Sequence, residues 1–197
     1  MPRVVDHERR RRELAAAAFE LARRRGLAAV SVRAVAQEAG TTPSSLRHYF
    51  PSQPELLRQV MAHVVASATD RVRAVPRTGR PLDVATAQLV ELLPLDEERA
   101  AEADVWLAFS AAALAEPGLR ALRAASDAAL EGLCTRVVLS LRGQEEPDDG
   151  VRSAAAHLWA LLDGLALHLR LAPERTRAAE AVAVLRRALE DLAGPGR

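Results

Sequence analysis

The chain has 197 residues, of which 27 are arginine against 26 Asp and Glu, for a formal charge of +1. That length allows one domain, or a small one fused to a larger one, and the single cysteine, Cys134, excludes an intramolecular disulfide and fits a reducing compartment. No stretch approaches the roughly 18 uninterrupted apolar residues of a membrane span, and no apolar signal segment follows the charged start, so no membrane partner and a cytoplasmic location are expected.

The near-neutral total hides a polarity. Residues 1–58 hold 11 Arg against 6 acids, a balance of +5, while residues 59–197 hold 16 Arg against 20 acids, or −4. One end of the chain is therefore suited to a polyanion and the other is not. Aromatics make up only 3%, Ala and Leu dominate, and Lys, Ile and Asn are absent. Strong helix formers with few β-branched residues point to an all-α protein.

In chain order, Leu14, Ala17, Ala18 and Leu21 recur at helical steps within a first helix over about 8–25, which Gly26 stops. Ser31 caps a short second helix carrying Val32, Val35 and Ala36 and ending at Gly40. Thr42 and Pro43 open a third, with Leu46, Tyr49 and Phe50 as its apolar contacts, and Pro51 ends it. Ser52 with Glu55 three residues later reads as a capping box leading a long helix to about Val75. Pro76 to Pro81, with Gly79, breaks the pattern. Further helices are expected over 82–93, 96–116, 117–142, 148–171 and 174–193.

Two short helices joined at Gly40 and Thr41, after a longer basic one, have helix-turn-helix spacing. A helix that enters a major groove about 12 Å wide has to cross its support closely, and Ala36, Ala39 and Gly40 are small enough to allow it. Ser44, Ser45, Arg47 and His48 then face outward, and a guanidinium at Arg47 can bond two acceptors of guanine at once. Arg33 can meet a phosphate or a base, beside main-chain N–H groups at the start of its helix. The ring of Tyr49 can cover the small core while its hydroxyl reaches the DNA backbone. The Arg9 to Arg12 run is either a solvated helix face or a backbone contact.

The run GLAAVSVRAVAQEAGTTPSSLRHYFPSQPELL, Gly26 to Leu57, resembles without a gap the DNA-binding segment of the TetR family of bacterial repressors. The resemblance implies a DNA-binding set of Ser31, Arg33, Thr42, Pro43, Ser44, Ser45, Arg47, His48, Tyr49 and Gln53. Two positions depart from the family pattern: Arg47 stands where Tyr is usual and Gln53 where Lys is usual, both common phosphate contacts in the family.

Specific DNA binding requires two heads at a fixed separation. Val151, Ala155, Leu158, Leu162, Leu165 and Leu169 follow steps of four and three, as do Ala178, Val182, Leu185, Leu189 and Leu192. These heptad seams suit a four-helix bundle made by two chains, or the protein's own core. The TetR resemblance implies the dimer, with Val151, Ala155, Leu158, Leu162, Leu165, Leu169, Val182, Leu185 and Leu189 as its interface. The runs EADVWLAFSAAALAEPGLRAL and LWALLDGLALHLRLAPE resemble the BetI-like branch of that family, which implies a pocket for a small effector. Trp106, Phe109, Leu130, Leu133, Val137, His157, Leu161 and His168 are the candidate lining, each with a plain reading as core or surface. A quaternary ammonium wants an aromatic cage, which six aromatic residues supply poorly.

An enzyme is not expected, since there is no G-x-S-x-G, no Gly-rich phosphate loop and no H-E-x-x-H. His157 and His168 lie roughly 16 Å apart along one helix and cannot share a metal, so neither metal nor cofactor is expected. The expected architecture is a three-helix DNA-binding domain over 1–52 and a larger helical ligand-binding and dimerisation domain over 53–197. The expected function is a homodimeric repressor on a palindromic operator of double-stranded DNA, released by a small hydrophobic or amphipathic molecule. Activation, or a ligand-independent helical DNA-binding module, is the alternative.

Overall fold

The structure, a computed structural model, describes residues 2–193, with side chains described from His7 onward. Among the described residues it is all-α: α1 (Pro2–Arg25), a single 3-10 turn (Leu27–Ala29), α2 (Val32–Glu38), α3 (Pro43–Tyr49), α4 (Gln53–Ala74), α5 (Pro81–Val90), α6 (Glu97–Ala115), α7 (Pro117–Arg142), α8 (Asp149–Leu171) and α9 (Ala178–Ala193).

The helix ends follow local chemistry. Gly26 takes φ +79° and its N–H reaches Ala22 O at 2.8 Å, ending α1. Ser31 Oγ accepts from Ala34 N at 3.2 Å, and Thr42 Oγ1 from Ser45 N at 3.1 Å, so both expected caps form. Between them Gly40, at φ +61°, closes α2: its N–H meets Gln37 O at 3.3 Å and that of Thr41 meets Ala36 O at 2.9 Å. This paired closure of carbonyls needs a left-handed residue at Gly40, which a side chain would strain. The capping box at Ser52 forms by half. Ser52 Oγ accepts from Glu55 N at 3.3 Å, while the Glu55 carboxylate turns to Arg11 and Arg58.

Three boundaries differ from the sequence reading. α1 begins at Pro2, ahead of the expected start near residue 8. α5 stops at Val90, because Leu92 and Leu93 bond back three residues to Leu89 and Val90 in a tighter turn. α9 begins at Ala178 because Arg175 and Thr176 both bond to Ala172 O, after which Glu180 accepts from Arg177 N at 3.1 Å and starts the helix afresh.

The contacts divide the chain into two compact units, one of residues 1–67 with 104–123, the other of 68–103 with 124–197. This differs from a split at residue 52. The motif ends there, but the core of the first unit also takes Val105, Phe109, Ala113 and Leu119 from α6 and α7, alongside Leu14, Leu21, Val35, Leu46 and Phe50. Phe50 and Leu46 are fully buried, and each such side chain contributes roughly 1.5–3 kcal/mol. The core of the second unit joins Leu89, Cys134, Val138, Leu158, Leu162 and Leu185 from α5, α7, α8 and α9.

The second unit also holds a charge network. Glu102, 6% exposed, is bonded by Arg71 Nη1 at 3.0 Å and Nη2 at 2.6 Å, a two-pronged pair. Arg71 also reaches Glu91 O, and Arg99 bridges Glu91 and Asp96. The end of α4, the end of α5 and the start of α6 are thereby fixed together. The hydrogen bonds that Arg71 donates to Glu102 raise its pKa above the ordinary value, against the opposing effect of burial.

Candidate nucleic-acid interface

α2 and α3 pack on each other, and α1 packs on α2. Leu46 and Phe50 point into the core, which leaves Thr42, Pro43, Ser44, Ser45, Arg47 and His48 exposed along the rest of α3. Ser31 is half-buried and Arg33 exposed at the start of α2. The cap hydroxyls of Ser31 and Thr42 accept backbone N–H groups, so each keeps its own proton to donate.

The arginines sort themselves by partner. Arg9 and Arg10 lie against Glu13, Arg11 against Glu55, Arg23 against Glu20 and Arg24 against Glu38. Arg12, Arg25, Arg33 and Arg47 are exposed and make no hydrogen bond or ion pair among the described residues. These four are charges of the basic end with no partner among the described residues, and a phosphate backbone is the kind of partner that neutralises such charge. Of the run over 9–12, only Arg12 is in this group.

Tyr49 is half-buried and packs against the core, as expected of its ring. It also stacks on His7 of α1, with ring centroids 4.6 Å apart, and His48 stands edge-on to it at 5.6 Å. Gln53 is exposed at the start of α4 and also has a partner within the chain. Its Nε2 donates to Val30 O at 3.1 Å, tying the start of α4 to the residue before the Ser31 cap.

The candidate effector residues fall in different units. Trp106, half-buried, and Phe109, fully buried, belong to the first; Leu130, Leu133, Val137 and Leu161 belong to the core of the second or its margin. His157 and His168 are exposed on α8, so neither lines an internal wall. Sequence spacing did not reveal that Arg123 Cζ lies 4.4 Å from the ring centroid of Trp106, because the two sit on different helices.

The heptad seam of α8 serves the chain's own core, the second of its two readings. Val151, Ala155, Leu158, Leu162, Leu165 and Leu169 are between 0% and 7% exposed, and Leu185 and Leu189 on α9 are at 0%. α5 and α8 both pack on α9 and cover these residues, which leaves them no surface for a second chain. Val182 is half-buried. The opposite stripe of α8 is open: His157, Ala160, Leu167 and Leu171 are exposed and Gly164 is half-buried, at the same steps of three and four. On α9, Val184 is 47% exposed.

Residues 14–60 match the family described as bacterial regulatory proteins, tetR family, and residues 81–194 match the BetI-type transcriptional repressor C-terminal family. The HTH-type transcriptional regulator PksA of Bacillus subtilis is 36% identical over 181 residues, 89% of this chain and 85% of that one. A transcriptional regulator from Rhodococcus sp. Rha1 superposes with a TM-score of 0.81 at 29% identity, covering 92% of this chain and 95% of its own. A regulator from Saccharomonospora viridis, solved in complex with choline, superposes with a TM-score of 0.73 at 24% identity, over 93% of this chain and 95% of that one.

Proposed function

The chain belongs to the TetR family of bacterial transcriptional regulators, and on that premise we propose that it is a cytoplasmic, homodimeric repressor that binds a palindromic operator and leaves it when a small molecule binds the helices after the DNA head. The observation that carries the reading is the set of four arginines without a partner among the described residues, two of them on α2 and α3, beside cap hydroxyls with a proton to donate. α3 enters the major groove, Arg47 reads a base edge, and Arg33, Ser31 and Thr42 hold the backbone.

The dimer forms through the outer stripe of α8 and the Val184 face of α9. Gly164 supports this choice. A methyl group there would meet nothing of its own chain within 4 Å, and glycine inside a helix costs about 1 kcal/mol relative to alanine. The chain's own packing gives no reason for a glycine, whereas close approach of a second helix does.

Release requires the effector to bind the DNA-incompetent arrangement more tightly than the competent one. The effector is small, hydrophobic or amphipathic, and Trp106 contributes to its site. Choline in the Saccharomonospora viridis regulator speaks for that protein's ligand, and the chemistry around Trp106 decides whether it suits this chain. Selection of DNA from a random library by the full-length protein tests the reading. Enrichment of one palindrome supports it, and recovery of unselected DNA alone refutes it.

A further inference from the structure

We infer that Arg123 is a specificity-determining residue of the effector site, and that it excludes permanently cationic effectors by occupying the aromatic face they would need. The inference rests on the reading of Trp106 as part of that site.

A quaternary ammonium carries no hydrogen-bond donor on its charged centre and is recognised by the π-faces of aromatic rings. This chain has two Trp, one Tyr and three Phe. Phe19, Phe50 and Tyr49 belong to the packing of the helix-turn-helix, and Phe109 is fully buried. Trp159 lies in the second unit, packed against its core. Trp106 is the aromatic residue of α6 with part of its surface open, and a cation already lies on it.

That cation is tied both to the ring and to α6. Arg123 Cζ stands 4.4 Å from the Trp106 ring centroid, within the distance at which a guanidinium is attracted to the negative face of an indole. Its Nη1 donates to Ser110 Oγ, and the Ser110 hydroxyl donates to the Trp106 carbonyl at 2.8 Å. Ring, hydroxyl and guanidinium are thus locked together between α6 and α7. A second cation would have to displace Arg123 from the ring or approach it at short range, where two like charges repel strongly. An uncharged molecule of the same shape meets the covered ring but not the repulsion. The effector class is accordingly neutral or anionic, with an apolar body.

The test compares choline with 3,3-dimethylbutan-1-ol, its uncharged carbon isostere, by calorimetric titration of the full-length protein. Wild type is expected to favour the isostere. Arg123→Ala uncovers the ring and is expected to raise the affinity for choline relative to the isostere by about tenfold or more. Arg123→Met keeps the ring covered without the charge, so it reports on folding and is expected to give a smaller rise. A wild type that binds choline at least as tightly as the isostere overturns the inference. So does an Arg123→Ala protein, folded by circular dichroism, whose choline-to-isostere ratio is unchanged, including the case where neither molecule binds. Operator release is measured in parallel. Choline binding gained without any effect on the DNA complex would leave the exclusion by Arg123 standing and refute Trp106 as part of the effector site.

Discussion

Gln53 Nε2 donates to the Val30 carbonyl at 3.1 Å, so the first residue of α4 holds the segment from which the Ser31 cap and α2 begin. The amide is part of the scaffold under the DNA-reading helices. Gln53→Ala is therefore expected to lower the stability of the free protein by about 1 kcal/mol, visible as a lower thermal midpoint, together with a modest loss of operator affinity. Affinity lost with the midpoint unchanged would make Gln53 a direct DNA contact instead.

Arg47 is exposed on α3 with no partner among the described residues. Replacement by alanine is expected to cost about 1–3 kcal/mol of operator binding and to relax sequence preference at one position of each half-site. A loss spread equally over all sequences, with the slope of log affinity against log salt reduced by about 1, would make Arg47 a phosphate contact. Competition binding with single-base operator variants distinguishes the two.

Leu162 and Gly164 are two residues apart on α8 and face opposite ways. Leu162 is 3% exposed within the core of the second unit. Leu162→Asp places a carboxylate in that core and is expected to destabilise the fold by on the order of 3–5 kcal/mol. Gly164→Arg is expected to leave the fold intact and give monomers in sedimentation equilibrium, because the side chain has room within its own chain. A Gly164→Arg protein that stays dimeric would move the interface elsewhere.

These two residues also show where the sequence was legible. The steps of Val151 to Leu169 correctly identify a buried seam, and the caps at Ser31 and Thr42 and the stop at Gly40 are local chemistry that the chain order displays directly. Which partner covers a seam is a tertiary fact: α8 carries two stripes with the same three-and-four spacing, and periodicity alone does not say which one faces its own chain. Arg123 over Trp106, Gln53 on Val30 and Arg71 on Glu102 were out of reach for the same reason, since each joins residues from different elements. His157 and His168, candidates for a pocket wall or for plain surface, are exposed on α8, and a helix stripe has no inside until its neighbours are known.

Glu102 and Arg71 form a buried pair in which removal of one member leaves the other without its partner. Glu102→Gln is expected to lower stability by about 3 kcal/mol in urea denaturation. The figure is at the low end for such pairs because the Arg71 side chain is 24% exposed and Glu91 lies 3.5 Å from its Nε. A change under about 0.5 kcal/mol would show the network to be dispensable.

Cys134 is buried in the core of the second unit, and burial pushes its thiol pKa up from 9.0 to about 12. The folded protein therefore keeps a neutral thiol through the physiological range. A raised acid pKa contributes stability that is present below the unfolded value near 9 and is lost as pH climbs from there toward 12. Thiol labelling at pH 8 is expected to be slow in the native state and to follow the unfolding transition in urea. Rapid labelling of native protein would contradict the burial.

The central claim is that α3 reads a specific palindrome as one of two identical heads, and the most direct measurement is titration of the library-selected DNA with the full-length protein, scored for stoichiometry and affinity. The expected result is two chains per duplex with affinity at least about a thousandfold above that for random DNA, falling steeply with salt. Equal affinity for selected and random duplexes, or one chain per duplex at saturation, would contradict it.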